Sequence, residues 1–96
     1  MTVNDLLREK REEILRIAEQ HGAYDVRVFG SVARGEAGPE SDVDLLVRLR
    51  AGTTLLRHAA MARELERLLG RKVHVVSERG LRERMRDRVL REATPI

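Results

Sequence analysis

The chain has 96 residues, 42% of them apolar and 36% charged, with one Phe, one Tyr and no Cys or Trp. That suffices for one domain, spanning 1–96, around an aliphatic core, and it excludes a disulfide framework, a thiolate zinc site and a cysteine nucleophile. A formal charge of +3 spread over mixed signs, with no aromatic platform for bases, argues against nucleic acid as the partner.

No stretch approaches a membrane span, and "MTVNDLLREK" lacks the apolar core of a signal peptide. A cytoplasmic home fits a chain without Cys. Residues 3–20 read as one helix. Thr2 caps it, Asp5 completes a capping box, and Leu7, Ile14, Leu15 and Ala18 form the apolar stripe. Gly22 supplies the stop. "YDVRVF", residues 24–29, alternates as a strand with Tyr24, Val26 and Val28 on one face. "GSVARG" then reads as a turn into a short helix, and "EAGPES" as a loop.

"DVDLLVRL", residues 42–49, reads as the second strand. Residues 54–69 read as a long helix with Leu55, Leu56, Ala59, Ala62, Leu65, Leu68 and Leu69 facing inward and Gly70 at its end. "KVHVV", residues 72–76, is the third strand. Residues 80–92 form an Arg-rich helix anchored by Leu81, Met85 and Val89. Its Arg79–Glu83, Asp87–Arg91 and Arg88–Glu92 spacings suit a solvated face first, a protein-docking face second and a nucleic-acid surface last. The predicted class is α+β, in the order α-β-α-β-α-β-α. It has a small mixed sheet of three to four strands with helices mainly on one face.

Two features carry chemistry. Gly30-Ser31 ends a strand and enters a helix, where free backbone N–H groups and a hydroxyl suit a phosphate. As residue types alone, they equally suit a plain turn. Asp42 and Asp44 stand at i and i+2 on a strand, so both point to one face and repel each other unless a cation lies between them. Mg²⁺ takes one or two carboxylates together with phosphate oxygens. The bland alternative is a solvated strand face.

The combination is more specific than its parts. Gly-Ser, ten residues, Asp-x-Asp and "LLV" together resemble the DNA polymerase beta-like nucleotidyltransferase superfamily. "FGSVARGEAGPESDVDLLV", with Arg34-Gly35 and with Ser41 before Asp42, is similar to the minimal nucleotidyltransferase (MNT) family. The resemblance extends through "LGRKV", "SERGL" and "REATPI".

The resemblance implies a nucleotidyltransferase that binds Mg²⁺ and uses ATP as donor. Gly30 and Ser31 would grip the triphosphate, Asp42 and Asp44 would be the metal ligands and catalytic carboxylates, and Arg34 would contact phosphate or a partner. Arg34 could equally just pair with Glu36. The resemblance further implies an antitoxin in a hetero-oligomer with a HEPN-type helical toxin, transferring AMP to a tyrosine hydroxyl of that toxin. Two alternatives stay open: a binding-only antitoxin or pseudoenzyme, and a catalytic subunit that modifies a small-molecule hydroxyl with a second chain.

The departure is "RKVHVV". His74 stands where family members commonly carry a third acidic residue. It reads as a ligand, as a base near neutral pH, or as a passive replacement. Glu78 could substitute only if the strand end bends back. His21 reads as a helix C-terminal residue, and His58 as an exposed one.

Overall fold

The computed structural model describes residues 2–96. Helices α1 (Val3–Glu9) and α2 (Arg11–Gln20) lead into β1 (Ala23–Phe29), followed by the one-turn α3 (Gly30–Ala33). Then come β2 (Val43–Leu49), α4 (Leu55–Leu69), β3 (Val73–Ser77), a 3₁₀ turn (Glu78–Gly80), α5 (Glu83–Glu92) and β4 (Thr94–Pro95). The four strands form one sheet in the order β3-β2-β1-β4. The β1–β2 and β1–β4 pairs are antiparallel, and β2–β3 is parallel. This is the predicted α+β architecture, a mixed sheet with helices mainly on one face.

The apolar run of β2 explains why both faces of the sheet are covered. Val43, Leu45 and Val47 point into the larger core, with Ile14 and Ala18 of α2 and Met61, Leu65 and Leu69 of α4. Leu46 points the other way, into a smaller core with Phe29 and with Val89 of α5. The sheet face that carries Leu46 also carries Asp44, by strand alternation. Helix α5 therefore covers part of the face on which the carboxylates stand.

Four expectations are corrected. The predicted single helix over 3–20 breaks at Lys10, which both ends α1 and begins α2. No Gly or Pro marks the break, and Val3 and Leu7 of α1 share one core with Ile14 and Ala18 of α2. Tyr24 does not share a face with Val26. The β1–β2 register slips between Tyr24 and Arg27, with Asp25 at φ +52. That bulge inserts one residue and reverses the alternation, so Ala23, Val26 and Val28 are buried while Tyr24 is exposed.

In α4 the inward stripe is Met61, Leu65 and Leu69. Ala59 is exposed, and Leu55 and Leu56 are 86% and 80% exposed. At 3.6 residues per turn Leu56 lies about 140° round the helix from Met61, away from the sheet. Of the anchors expected for the last helix, Val89 is buried in α5 and Leu81, just ahead of it, is half-buried, but Met85 is exposed. The expected pairs along α5 give way to tertiary ones: Arg86 reaches Glu78, and Glu92 reaches Arg34.

The remaining local signals hold. Thr2 and Asp5 form both hydrogen bonds of the capping box, at 3.0 and 3.1 Å. Gly70 ends α4 in the left-handed conformation, and the structure adds a cap at its start, where Thr54 accepts from Arg57 N–H. No helix among the described residues is long and apolar enough to cross a membrane.

Candidate active site

Phe29 of β1, Asp44 of β2 and His74 of β3 are register partners across the sheet. One row thus brings the end of the Gly-Ser strand, the second aspartate and the histidine together. Parallel pairing starts where Val43 N–H donates to Lys72 O at 3.0 Å. This fixes the β3 register that sets His74 opposite Asp44. Just ahead of β2, Ser41 Oγ accepts from Gly38 N–H at 2.7 Å, and Ser41 O accepts from Arg71. Asp42 leaves that pinned loop one residue before the strand, half-exposed to solvent.

His74 Nε2 lies 3.1 Å from Asp42 Oδ2. An ionised carboxylate only accepts, so Nε2 carries a proton and donates. Val73 and Val75 turn to the larger core, so His74 has the sense the alternation predicts. Asp44 is more enclosed than Asp42. Burial pushes its carboxyl above the usual range; the nearby His74 works against this, and Asp42 adds to it.

Gly30 adopts φ +75. A Cβ there would run into Asp44 Oδ2, so the backbone at 30 passes directly beside the carboxylate. Two needs coincide at this glycine: a left-handed backbone and a close approach. Ser31 follows, half-buried, in the first turn of α3.

Arg34 sits one turn on. Its Nε donates to Glu36 at 2.8 Å, and its Nη1 donates to Glu92 Oε1 at 2.7 Å. Glu92 also accepts from Gly30 N–H through Oε2, at 2.8 Å. Burial raises the Glu92 carboxyl, but Arg34 and the Gly30 N–H outweigh it and hold that carboxyl below its usual range. Glu92 lies 62 residues from Gly30, and no local pattern pairs them. Sequence reasoning read Glu92 only as part of a solvated helix face.

Glu78 does not join the site. It binds Arg27 at 2.6 Å and Arg48 at 3.0 Å, toward the far end of the strands. A groove of about 720 Å³ at that end is lined by Arg48, Arg50, Arg79, Arg86 and Tyr24, none of them a predicted site residue. His21 Nδ1 donates to Ile17 O at the end of α2. His58 is half-buried rather than exposed, because its Nε2 donates to Val75 O at 2.6 Å. Both are structural.

A family model described as a nucleotidyltransferase domain matches residues 7–96. The chain is a nucleotidyltransferase, a member of that family. A candidate minimal nucleotidyltransferase of known structure is 55% identical, with a TM-score of 0.87 over 100% of this chain and 97% of that one. This nucleotidyltransferase is 34% identical, over 100% of its own length and 99% of the other's, to a candidate protein adenylyltransferase of Methanocaldococcus jannaschii. It is 40% identical, over 79% of its length and 77% of the other's, to the protein adenylyltransferase MntA of Thermococcus cleftensis. The fold also matches a toxin–antitoxin crystal structure with AMP-PNP, at a TM-score of 0.76 and 19% identity over 88% of this chain and 69% of that one.

Among the described residues, no set of three or more His, Asp or Glu side chains stands ready to hold a metal ion. The donor set is two aspartates on one face, with His74 Nε2 committed to Asp42. Two hard oxygen donors fit an ion such as Mg²⁺, whose remaining positions go to phosphate and water.

Proposed function

We propose that this nucleotidyltransferase is the antitoxin of a toxin–antitoxin pair and transfers AMP from ATP to a protein hydroxyl of its toxin. The observation that carries this reading is the facing of Gly30-Ser31 and the Asp42–His74 pair across Asp44. A phosphate-binding turn and two carboxylates meet on one face. The relatives named as protein adenylyltransferases support the donor and the acceptor class. The toxin–antitoxin crystal structure with AMP-PNP fits the same reading. By the family resemblance, the partner is a HEPN-type helical protein and the acceptor a tyrosine.

Each residue has a role in this reading. The backbone at Gly30 and Ser31 and the Ser31 hydroxyl hold the triphosphate. Asp42 and Asp44 hold Mg²⁺ by one or both carboxylates. The ion, when bound, supplies charge neutralisation at the phosphates and relieves the repulsion that disfavours an ionised Asp44. Arg34 presents its remaining guanidinium edge, Nη2, to phosphate. His74 donates to Asp42 and orients it. The acceptor oxygen bonds to the α-phosphorus as the bond to the β-phosphate oxygen breaks. Pyrophosphate leaves, and the hydroxyl proton passes to the Asp42–His74 pair.

A second reading has its own observation. The residue opposite Asp44 is a histidine tied to Asp42, not a third carboxylate. A binding-only antitoxin keeps this fold without turnover. Incubating the chain with its toxin partner, Mg²⁺ and ATP labelled on the α-phosphate separates the two. Transfer predicts label on the partner that disappears with Asp44→Ala. A stable complex that never acquires label rejects transfer and leaves binding alone.

A further inference from the structure

The Gly30 N–H is the first backbone donor of the turn read above as the phosphate grip, and it already holds an anion. Glu92 Oε2 accepts from it at 2.8 Å, while Oε1 of the same carboxylate accepts from Arg34 at 2.7 Å. One carboxylate thus engages a grip donor and the arginine assigned to phosphate. Glu92 is only 14% exposed, and it sits on the last turn of α5, which is anchored through Val89 against Phe29 and Leu46. Residues 94–95 follow directly and pair with Arg27 and Val28 of β1. The carboxylate is therefore delivered by packed elements on either side of it.

Glu92 also adds to the negative field at Asp44. A triphosphate entering beside Asp44 would meet that charge at short range. It would also find the Gly30 N–H and one edge of Arg34 occupied. Both ligands are anions that ask for the same donors, and charge-assisted hydrogen bonds of this kind are the strong ones.

We infer that Glu92 is a positioning residue of the nucleotide site: its carboxylate holds the Gly30 N–H and Arg34 in place of phosphate, and the triphosphate takes over those donors when it binds. The inference rests on the reading of Gly30, Ser31 and Arg34 as the phosphate grip. Filling the grip with an internal anion keeps Arg34 and the turn ordered, at the expense of affinity. The exchange also connects the nucleotide site to the C-terminal helix and strand.

Glu92→Gln tests this, because it removes the charge and keeps the shape. Isothermal titration of the full chain with Mg²⁺·ATP, and separately with inorganic triphosphate, reads the affinities. Removing one negative charge at short range and releasing the donors it holds predicts binding about tenfold tighter in the variant. A merely structural Glu92 would weaken binding or leave it alone, and either result overturns the inference. If the wild-type chain binds neither probe, the nucleotide reading itself fails, and this inference with it.

A second measurement needs no variant. In wild-type protein, saturating inorganic triphosphate should shift the Gly30 amide and the Glu92 side-chain carboxyl ¹³C resonances together. A Glu92 carboxyl resonance that stays in place while the Gly30 amide moves overturns the exchange.

Discussion

His74 donates to Asp42 across 3.1 Å while sitting directly opposite Asp44 in the parallel β2–β3 register. The histidine therefore serves the first aspartate and faces the second. His74→Asp would replace a donor with a third carboxylate on an already anionic face. Without metal, the repulsion should lower the melting temperature. With Mg²⁺ present, the rate of label transfer should rise about tenfold, as an oxygen ligand replaces a histidine committed elsewhere. Melting curves with and without Mg²⁺, beside the transfer assay, check both halves. An unchanged rate would mean that His74 already does what the acid would do.

Asp44→Asn should leave the metal-free fold at least as stable as wild type. Burial and Asp42 raise the Asp44 carboxyl in the folded state. A raised folded pKa means that ionisation opposes folding, and that this opposition fades as pH falls through the folded value. The amide removes the charge altogether. The same variant should lose Mg²⁺-dependent nucleotide binding. Denaturant melts and titration calorimetry on one preparation separate the two effects; a marked loss of stability would show the carboxylate to be structural.

Gly30→Ala should damage both fold and site. The left-handed backbone at φ +75 costs a side-chain-bearing residue about 1–2 kcal/mol. The added methyl would also have to push Asp44 aside. Gly35, at φ +73 with open space around it, is the control. Gly35→Ala should show the backbone cost alone and keep nucleotide binding. Equal binding by the two variants would remove the close approach of Gly30 and Asp44 from the argument.

Glu78→Ala should destabilise the chain by about 1–3 kcal/mol, the usual cost of stranding a buried polar partner. Arg27, only 14% exposed, loses its nearest carboxylate. Arg27, then Arg48, holds the Glu78 carboxyl below its usual range. A depressed folded pKa gives stability that is present above the ordinary glutamate value and lost as pH falls through the folded one. Urea melts between pH 7 and 3 should show an acid loss that is smaller in Glu78→Ala.

Met61→Ala should cost about 2–5 kcal/mol as a buried large-to-small change. Leu56→Ser should stay within about 0.5 kcal/mol, as for an exposed position. Chemical denaturation of the pair checks which face of α4 is buried. A comparable loss in Leu56→Ser would restore the leucine stripe that periodicity suggested.

That pair marks where sequence reading stopped. Three apolar residues near the start of α4 satisfied helical spacing, but spacing ranks faces only relative to one another. Which face meets the sheet depends on where the helix lies. The broken first helix and the bulge at Asp25 were invisible for a similar reason. Neither carries a Gly or Pro, and nothing in the local residue spacing marks either one.

The amino-acid sequence by itself determined the alternation of strands and helices from β1 to α5, the cap at Thr2 and the stop at Gly70, the Gly-Ser turn and the close spacing of the two aspartates at the start of β2. These depend on residue type and on spacing of a few positions, where local geometry is stiff. Only the tertiary structure decided that His74 donates to Asp42, that Gly30 passes beside Asp44, and that Glu92 occupies Gly30 and Arg34. Those contacts span tens of residues and are set by strand register and by how α5 packs, and no local pattern encodes either.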